Sequence, residues 1–235
     1  MSFKILADTF SVSRDSDHYI QVKNLKNPRT EDEMWLVFEV SNSPKFARAT
    51  VQNIIDTFEE IYFDNFNLPA YERFENTLKE VNLIYKSLKE KKGEKMLGTI
   101  SALATVFANG DLLLTQTRDA EAYMIRKSKL SLISEGLSGR SEDLFVNIAS
   151  GELLPEDKVL FTTSRLLRLA THNQLVQMCS DGVTETMDSL RELVLGDSEL
   201  SIGIAFVHVK LPQRSIVALP IQKNGFHFPF MEKIA

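Results

Sequence analysis

Apolar and polar positions divide the first ninety residues into three strands and two helices. The segments FKILADTFSVS and HYIQVKNL alternate weakly, and residues 34–40 form a compact run rich in β-branched and aromatic side chains. Such runs are typical of strands, the last one buried. Apolar side chains then recur every three or four positions in two stripes, which contain Phe46, Thr50, Ile54, Phe58 and Ile61, and Phe74, Leu78, Val81, Tyr85 and Leu88. The stripes predict two helices packed as an antiparallel pair, the first with Ser43 as N-cap and Pro44 as first residue.

The next apolar segments predict an antiparallel meander. Residues 99–108 and 111–117 flank Asn109-Gly110, which is a strong signal for a two-residue hairpin turn. Residues 121–126 and 130–134 continue the pattern with a second hairpin.

The remaining pattern predicts short strands, late helices and a distinct tail. The predicted elements are strands at 144–149, 158–164 and 201–210, a turn at 151–157, and helices at 165–176 and 188–195. Residues 211–235 hold three of the seven prolines and depart from this pattern. We therefore expect one domain over residues 1–210 and a C-terminal extension over 211–235. The element order predicts an α+β fold whose antiparallel sheets are covered by helices or by each other.

Composition narrows the classes of function. The chain has 235 residues, 43% hydrophobic and 25% charged, which suits one large domain. A net charge of −5 does not favour binding to nucleic acid or to an anionic membrane. Cys179 is the single cysteine, so no internal disulfide is expected and a reducing, cytoplasmic location is favoured. We expect no signal peptide at the N-terminus and no membrane span.

Three stretches together resemble a known family. LTQTRDAEAYMIRKSKLSLIS is similar to its V-G-D-S-R-A-Y turn and following hairpin, GELLPEDKVLFTTS to its G-x-L-x-x-G-D-x-x-L-L-x-S-D-G motif, and WLVFEVSNS to its V-x-D-G-x-G-G strand end. The chain from residue 3 to residue 209 thereby resembles the metal-dependent protein phosphatases of the PPM type (protein phosphatase type 2C). The resemblance implies two packed antiparallel sheets flanked by helix pairs, an αββα sandwich. It also implies two Mg²⁺ or Mn²⁺ ions between the sheets, whose bridging water attacks phosphoserine or phosphothreonine.

The resemblance places only part of the expected metal and phosphate site in this chain. Asp17 matches the last carboxylate of the R-x-x-N-E-D motif, and Asp119 matches the aspartate of the middle turn. Val12 stands at the phosphate-binding arginine of the same motif, although Arg14 is close. We therefore expect Asp17 and Asp119 to be relics that are insufficient for metal binding.

Other positions of the expected metal site lack the family's residues. The degenerate positions are Ser41 and Asn42 at the bridging Asp-Gly pair, Ser164 and Arg165 at a second Asp-Gly pair, and Ser198 at the start of D-N-x-T. A serine hydroxyl is a neutral, weak ligand for Mg²⁺. Glu39 and Asp197 lie near these positions in sequence and are possible substitutes.

An intact-looking S-D-G motif lies elsewhere in the chain. Residues 179–185 read CSDGVTE, but too few residues separate Asp181 from the final strand for it to be the family's motif. We interpret Asp181-Gly182 as a turn between helices. His18, His172, His208 and His227 share no spacing typical of a metal site.

The sequence leaves three functions open. The first is a catalytically inactive pseudophosphatase that binds a protein partner, with no cofactor. The second is a divergent Mg²⁺- or Mn²⁺-dependent phosphatase with a reshuffled ligand set of Asp17, Asp119, Glu39 and Asp197. The third is a structural module that docks through its tail, in which Phe226, Phe228 and Phe230 alternate after an apolar run at 216–219. We expect the tail to pack on its own domain or on a partner.

Overall fold

Ten strands in two antiparallel sheets make up the centre of the molecule, counted over residues 3–27, 29–42, 44–139 and 142–211, which the computed structural model describes. The strands are β1 (Lys4–Val12), β2 (His18–Lys26), β3 (Glu33–Ser41), β4 (Thr99–Ala108), β5 (Asp111–Thr117), β6 (Glu121–Arg126), β7 (Lys129–Leu132), β8 (Ala149–Glu152), β9 (Lys158–Thr162) and β10 (Ile202–Lys210). The first sheet has the order β1-β10-β9-β6-β7, and the second has the order β2-β3-β4-β5-β8.

Helices cover the outer faces of both sheets. They are α1 (Pro44–Asp64), α2 (Ala70–Lys92), α3 (Glu94–Leu97), α4 (His172–Met178) and α5 (Val183–Leu195), with a short 3₁₀ helix at Leu166–Arg168. One apolar core lies between the second sheet and α1 and α2, and another lies between the first sheet and α4 and α5. A third core lies between the two sheets. The predicted α+β sandwich of two sheets flanked by helix pairs is confirmed.

The buried strand β3 shows why the sheets stack. Side chains alternate across a strand, so Trp35 and Val37 face the other sheet while Leu36 and Phe38 face the helices. The sheets approach closely at Gly203 of β10, where an added Cβ would lie 2.8 Å from a methyl carbon of Ile20. This contact lies beside the strand ends at which the candidate site is built.

The predicted four-strand meander is wrong in one respect. β4 and β5 pair in the second sheet, whereas β6 and β7 pair in the first. The chain crosses between the sheets in the turn after β5, where Arg118 adopts a left-handed conformation with φ of 56°. The two hairpins therefore face each other across the sandwich.

The predicted strand at 144–149 is also wrong, because only Ala149 belongs to a strand. Leu144 and Phe145 are buried under α1 and α2. The side chain of Asn82 on α2 replaces a strand partner: it donates to the carbonyl of Phe145 at 2.7 Å and accepts from its N–H at 3.0 Å. The apolar run therefore reflects burial in a loop.

The late helices differ in their bounds from the prediction. The predicted helix at 165–176 is a 3₁₀ turn followed by α4, which begins after Thr171 in a capping box with Gln174. α5 begins at Val183, five residues earlier than predicted. Asp181 and Gly182 lie between α4 and α5, so the predicted turn is confirmed.

Smaller differences concern loops and termini. The charged segment at 89–95 after the second apolar stripe is largely helical, since α2 extends to Lys92 and α3 follows. The predicted N-cap Ser43 and the tail beyond Leu211 lie outside the described residues. None of the described helices combines the length and the apolar character that a membrane span requires.

Candidate functional site

Loops from both sheets meet at one end of the sandwich. Hydrogen bonds join the β1–β2 loop to the end of β3, from the N–H of Asn42 to the carbonyl of Asp17 at 3.1 Å, and to the start of β10, from the N–H of Arg14 to Ser201 Oγ at 3.0 Å. An ion pair joins the β5–β6 turn to the end of β9, between Asp119 and Arg165. We call the space enclosed by these loops the inter-sheet cleft. These loops carry Asp17, Asn42, Asp119 and Arg165, which the family resemblance singled out.

Glu39 points into the cleft from β3. Its carboxylate is 14% exposed and lies 3.6 Å from His18 Nε2. It also accepts a hydrogen bond from the side chain of Thr163, whose Oγ1 accepts from the N–H of Gly203 at 3.0 Å. Burial raises the pKa of Glu39, and these polar partners oppose that rise only in part. Glu39 is therefore held by protein groups from β2 and from the segment after β9.

His18 is oriented by a carboxylate of its own loop. Its Nδ1 lies 2.8 and 3.0 Å from the two carboxylate oxygens of Asp15, which leaves Nε2 facing Glu39. The hydrogen bond from His18 holds the pKa of Asp15 below its usual range. The sequence pattern did not indicate this arrangement. The one hint in the sequence is that His18 begins the second predicted strand. In the structure β2 begins at His18, which lies directly opposite Ser41.

Arg165 places a protein cation on one of the two relic carboxylates. Its Nη2 lies 3.1 Å from Asp119 Oδ1, and its Nε lies 3.8 Å from Glu121 Oε1. Glu121 also accepts a hydrogen bond from the hydroxyl of Tyr123. The ion pair lines a polar cavity of about 510 Å³. Asp119 is thus paired with a side chain at the position that matches a family glycine.

The Asp17 carboxylate is exposed, whereas the carboxylate of the possible substitute Asp197 is bound within its own loop. The N–H of Asp17 donates to Asp15 Oδ1 at 2.8 Å, and the Asp17 side chain is exposed. Asp197 Oδ1 accepts from the N–H groups of Glu199 at 2.9 Å and Leu200 at 3.2 Å. Asp197 therefore shapes the turn before β10.

Apart from Arg165, the positions that depart from the family's residues are neutral, and Ser41, Asn42 and Ser164 take part in local hydrogen bonds. Asn42 has φ of 64°, a left-handed conformation that asparagine tolerates better than most residues, and its side chain lies 3.4 Å from Ser41 Oγ. Thr162 Oγ1 donates to the carbonyl of Ser164 at 2.7 Å and accepts from its N–H at 3.3 Å. The loop that carries Ser198 is shaped by the Asp197 turn. None of these positions contributes a negative charge.

The arginine expected for phosphate binding is absent from its position. Val12 lies in β1 opposite Ile202 and packs with the apolar core under α4 and α5. The neighbouring Arg14 donates from Nη2 to the carbonyl of Asp197 at 3.2 Å. Its guanidinium is therefore bound to the loop before β10.

The residues present do not suit a pair of divalent cations. Two such ions lie within about 4 Å of each other and require several carboxylates to offset their repulsion. Among the described residues, no group of three or more His, Cys, Asp or Glu side chains is arranged to hold a metal. Apart from Asp17 and Asp119, the positions that the resemblance assigns to the metal site carry serine hydroxyls, an amide and an arginine.

The intact-looking S-D-G segment has a structural role outside the cleft. Lys158 Nζ donates to the carbonyls of Cys179, Ser180 and Asp181 at 2.5, 2.7 and 2.8 Å. Burial lowers the pKa of Lys158 and raises the pKa of the Cys179 thiol to about 12. This segment therefore binds a lysine through its backbone, and the Asp181 side chain is exposed.

Comparison with protein-family models found no match, and neither did comparison with curated protein sequences. Solved structures match over most of the chain. PppA, a key regulatory component of the T6SS in Pseudomonas aeruginosa, is 16% identical, with 87% of this chain and 97% of that chain covered and a TM-score of 0.66. The serine/threonine phosphatase PstP/Ppp of Mycobacterium tuberculosis is 12% identical, with coverages of 89% and 100% and a TM-score of 0.67.

A further match is the phosphatase domain of the cell fate determinant SpoIIE from Bacillus subtilis. It is 10% identical, with coverages of 94% and 98% and a TM-score of 0.60. The catalytic domain of PstP has been solved in complex with two manganese ions. These similarities extend over both sheets and the helices that cover them, so the chain has the fold of the PPM-type serine/threonine phosphatases.

Proposed function

We propose that this protein is a catalytically inactive PPM-type pseudophosphatase that acts by binding a protein partner. The observation that carries the proposal is the ion pair of Arg165 with Asp119, 3.1 Å apart in the inter-sheet cleft. A guanidinium and a dication compete for the same carboxylate, and the arginine is tethered beside it. The positive charge that metals supply in an active site is here supplied in part by the chain.

The chemistry of the neutral positions supports the same conclusion. A metal pair accelerates phosphoester hydrolysis by lowering the pKa of a bridging water and by stabilising charge on the phosphoryl oxygens. Ser41 and Ser164 cannot provide the charge of bridging aspartates at neutral pH. Val12 stands at the position of the expected phosphate-binding arginine, and the nearby Arg14 donates to the carbonyl of Asp197. The cleft therefore lacks both the bridging aspartates and the phosphate-binding arginine at their expected positions.

The single cysteine, Cys179, is buried and unpaired, which favours action in a reducing, cytoplasmic compartment. The negative net charge of −5 favours a protein partner over nucleic acid.

The activity test is hydrolysis of para-nitrophenyl phosphate and of a phosphothreonine peptide with Mn²⁺ at neutral pH. We expect turnover at background, because no group in the cleft generates a strong nucleophile. Turnover that disappears in both Asp17→Ala and Asp119→Ala would instead establish the divergent phosphatase. The matched control is Asp111→Ala, at an exposed carboxylate in the distant β4–β5 hairpin.

The divergent phosphatase has one observation in its favour. Glu39 and Asp119 interact electrostatically across the cleft, so two carboxylates do approach the family's metal position. Asp197, the further substitute, is bound to its own loop. A purely structural module that docks through its tail remains a third function, and the tail lies outside the described residues.

A further inference from the structure

A groove made of two adjoining cavities follows β1 along the side of the sandwich. At one end it is a small cavity of about 110 Å³, lined by residues that include Phe3, Ile5, Phe107 and Val209. It then widens to about 660 Å³, lined by residues 5–8 of β1 together with side chains that include Glu33 and Trp35. Ile5 lines both parts, so they adjoin each other. We call this feature the β1 groove.

The groove lies over a free strand edge. Among the described residues β1 pairs with β10 alone, and it ends the first sheet. Ile5 and Ala7 pack toward the space between the sheets, while the alternate residue Leu6 is 37% exposed; all three line the groove. Because residues from both faces of β1 line the groove, the groove lies along the free edge of that strand. A nine-residue edge that is left uncovered can pair with an extended segment.

An unpartnered polar group lines the same groove. The indole N–H of Trp35 is buried, and it has no hydrogen-bond partner among the described residues. Buried donors are nearly always satisfied in folded proteins. An acceptor is therefore missing beside a groove that has room for a further chain segment.

The described chain leaves the fold at the narrow end of the groove. Lys210 of β10 lies opposite Lys4 of β1, and Val209 is part of the groove lining. A segment that continues from Leu211 has to cross β1, a distance of two strand spacings or roughly 10 Å. About three or four extended residues cover that distance. The 24 residues from 212 to 235 are sufficient to cross and then to follow β1.

The charges and side chains of this segment complement the groove. Asp8, Glu31 and Glu33 line it, and the only lysine in its lining, Lys26, is paired with Glu33 at 3.0 Å. Residues 212–235 contain three basic residues, Arg214, Lys223 and Lys233, against one acidic residue, Glu232. They also supply the alternating Phe226, Phe228 and Phe230. An acidic, half-apolar groove suits a basic, aromatic segment.

We propose that residues 212–235 bind the β1 groove of their own chain and cover the free edge of β1. Because the segment is tethered at the end of the groove, its effective concentration there is high, and it competes well with other chains. This inference is independent of the catalytic state of the inter-sheet cleft. A failure of the activity or metal tests leaves it unchanged.

The direct test is photo-crosslinking in the full chain. Asp8 is exposed and lines the groove, so benzoylphenylalanine is introduced at that position. Irradiation of a dilute mixture of isotope-labelled and unlabelled chains is followed by mass spectrometry. We expect adducts between residue 8 and peptides from 212–235 of the same chain. Adducts with a second copy, or none with these peptides, would overturn the proposal.

A second measurement uses Trp35, the only tryptophan, as a reporter in the groove. We expect the full-length triple variant Phe226→Ala, Phe228→Ala, Phe230→Ala to shift Trp35 emission to longer wavelength and to increase its quenching by acrylamide. The matched tail variant Gln213→Ala, Gln222→Ala, Asn224→Ala is expected to leave both unchanged. Equal spectra for the wild type and the phenylalanine variant would count against the tail as the occupant.

Discussion

Asn42 and Arg165 stand where the family resemblance places two glycines, each after an aspartate. Asn42 keeps a left-handed backbone conformation at the end of β3, with φ of 64°. Arg165 brings a guanidinium to within 3.1 Å of Asp119. Both side chains of this exposed pair are about half accessible, so the pair contributes about 0–1 kcal/mol to stability. The pair is important because it places a positive charge next to a carboxylate of the cleft.

Glu39 provides a pH test of the environment inside the cleft. Burial raises its pKa in the folded protein, so the folded state binds the proton more tightly than the unfolded chain. The stability from protonated Glu39 is present below the unfolded pKa and is lost as pH rises through the folded pKa. We therefore expect Glu39→Gln to gain stability relative to wild type as pH increases from about 4 toward 7. Urea unfolding at several pH values measures this difference.

The comparison variant for the pH series is Glu75→Gln on α2, where the carboxylate is 45% exposed. This variant controls for the loss of one carboxylate outside the cleft. A Glu39→Gln difference that is independent of pH would contradict the assigned environment of Glu39.

Periodicity predicted the elements that carry regular apolar patterns. The stripes from Phe46 and Phe74 gave α1 and α2, and the Asn109-Gly110 signal gave the β4–β5 hairpin. The run at 144–149 failed because its backbone partner is a side chain 63 residues away in sequence, Asn82. Contacts over such separations leave no local pattern. The pairing of β6 with β9 instead of β5 was hidden for the same reason.

Asn82→Ala tests the two hydrogen bonds by which the Asn82 side chain replaces a strand partner for Phe145. The substitution leaves the N–H and the carbonyl of Phe145 without their partner, which costs about 2 kcal/mol of unfolding free energy. Asn76→Ala is the matched control, since Asn76 is exposed on the same helix and the change in helix propensity is equal. Urea unfolding of the two variants compares them. Equal stabilities would show that the hydrogen bonds of Asn82 do not stabilise the loop that contains Phe145.

Across the whole molecule, the stacking of the two sheets could be predicted from the family resemblance, but the contents of the cleft could be predicted only in part. The resemblance placed Asp17, Ser41, Asp119 and Ser164 on loops that the fold does bring to one end. It did not indicate that Arg165 pairs with Asp119 or that His18 faces Glu39. Those contacts join different sheets or strands, and they depend on how closely the sheets approach.

Gly203→Ala tests that approach. The new methyl group would lie 2.8 Å from Ile20 Cγ2 and 3.0 Å from Val22 Cγ2, so the sheets must shift beside the cleft. We expect a loss of about 1–3 kcal/mol in unfolding free energy. Gly151→Ala is the control, because no atom lies within 4 Å of its added Cβ. Partial rescue of Gly203→Ala by Val22→Ala is expected, and equal stability of Gly203→Ala and wild type would contradict the close contact.

The most direct test of the inactive cleft is calorimetric titration of the full chain with Mn²⁺. Wild type is compared with the variant that restores both Asp-Gly pairs: Ser41→Asp, Asn42→Gly, Ser164→Asp and Arg165→Gly. We expect no tight site in wild type, since Asp119 is paired with Arg165, and measurable binding in the variant if its fold is retained by circular dichroism. Binding of two Mn²⁺ ions per wild-type chain with a Kd of about 1 μM, roughly −8 kcal/mol, would contradict the pseudophosphatase.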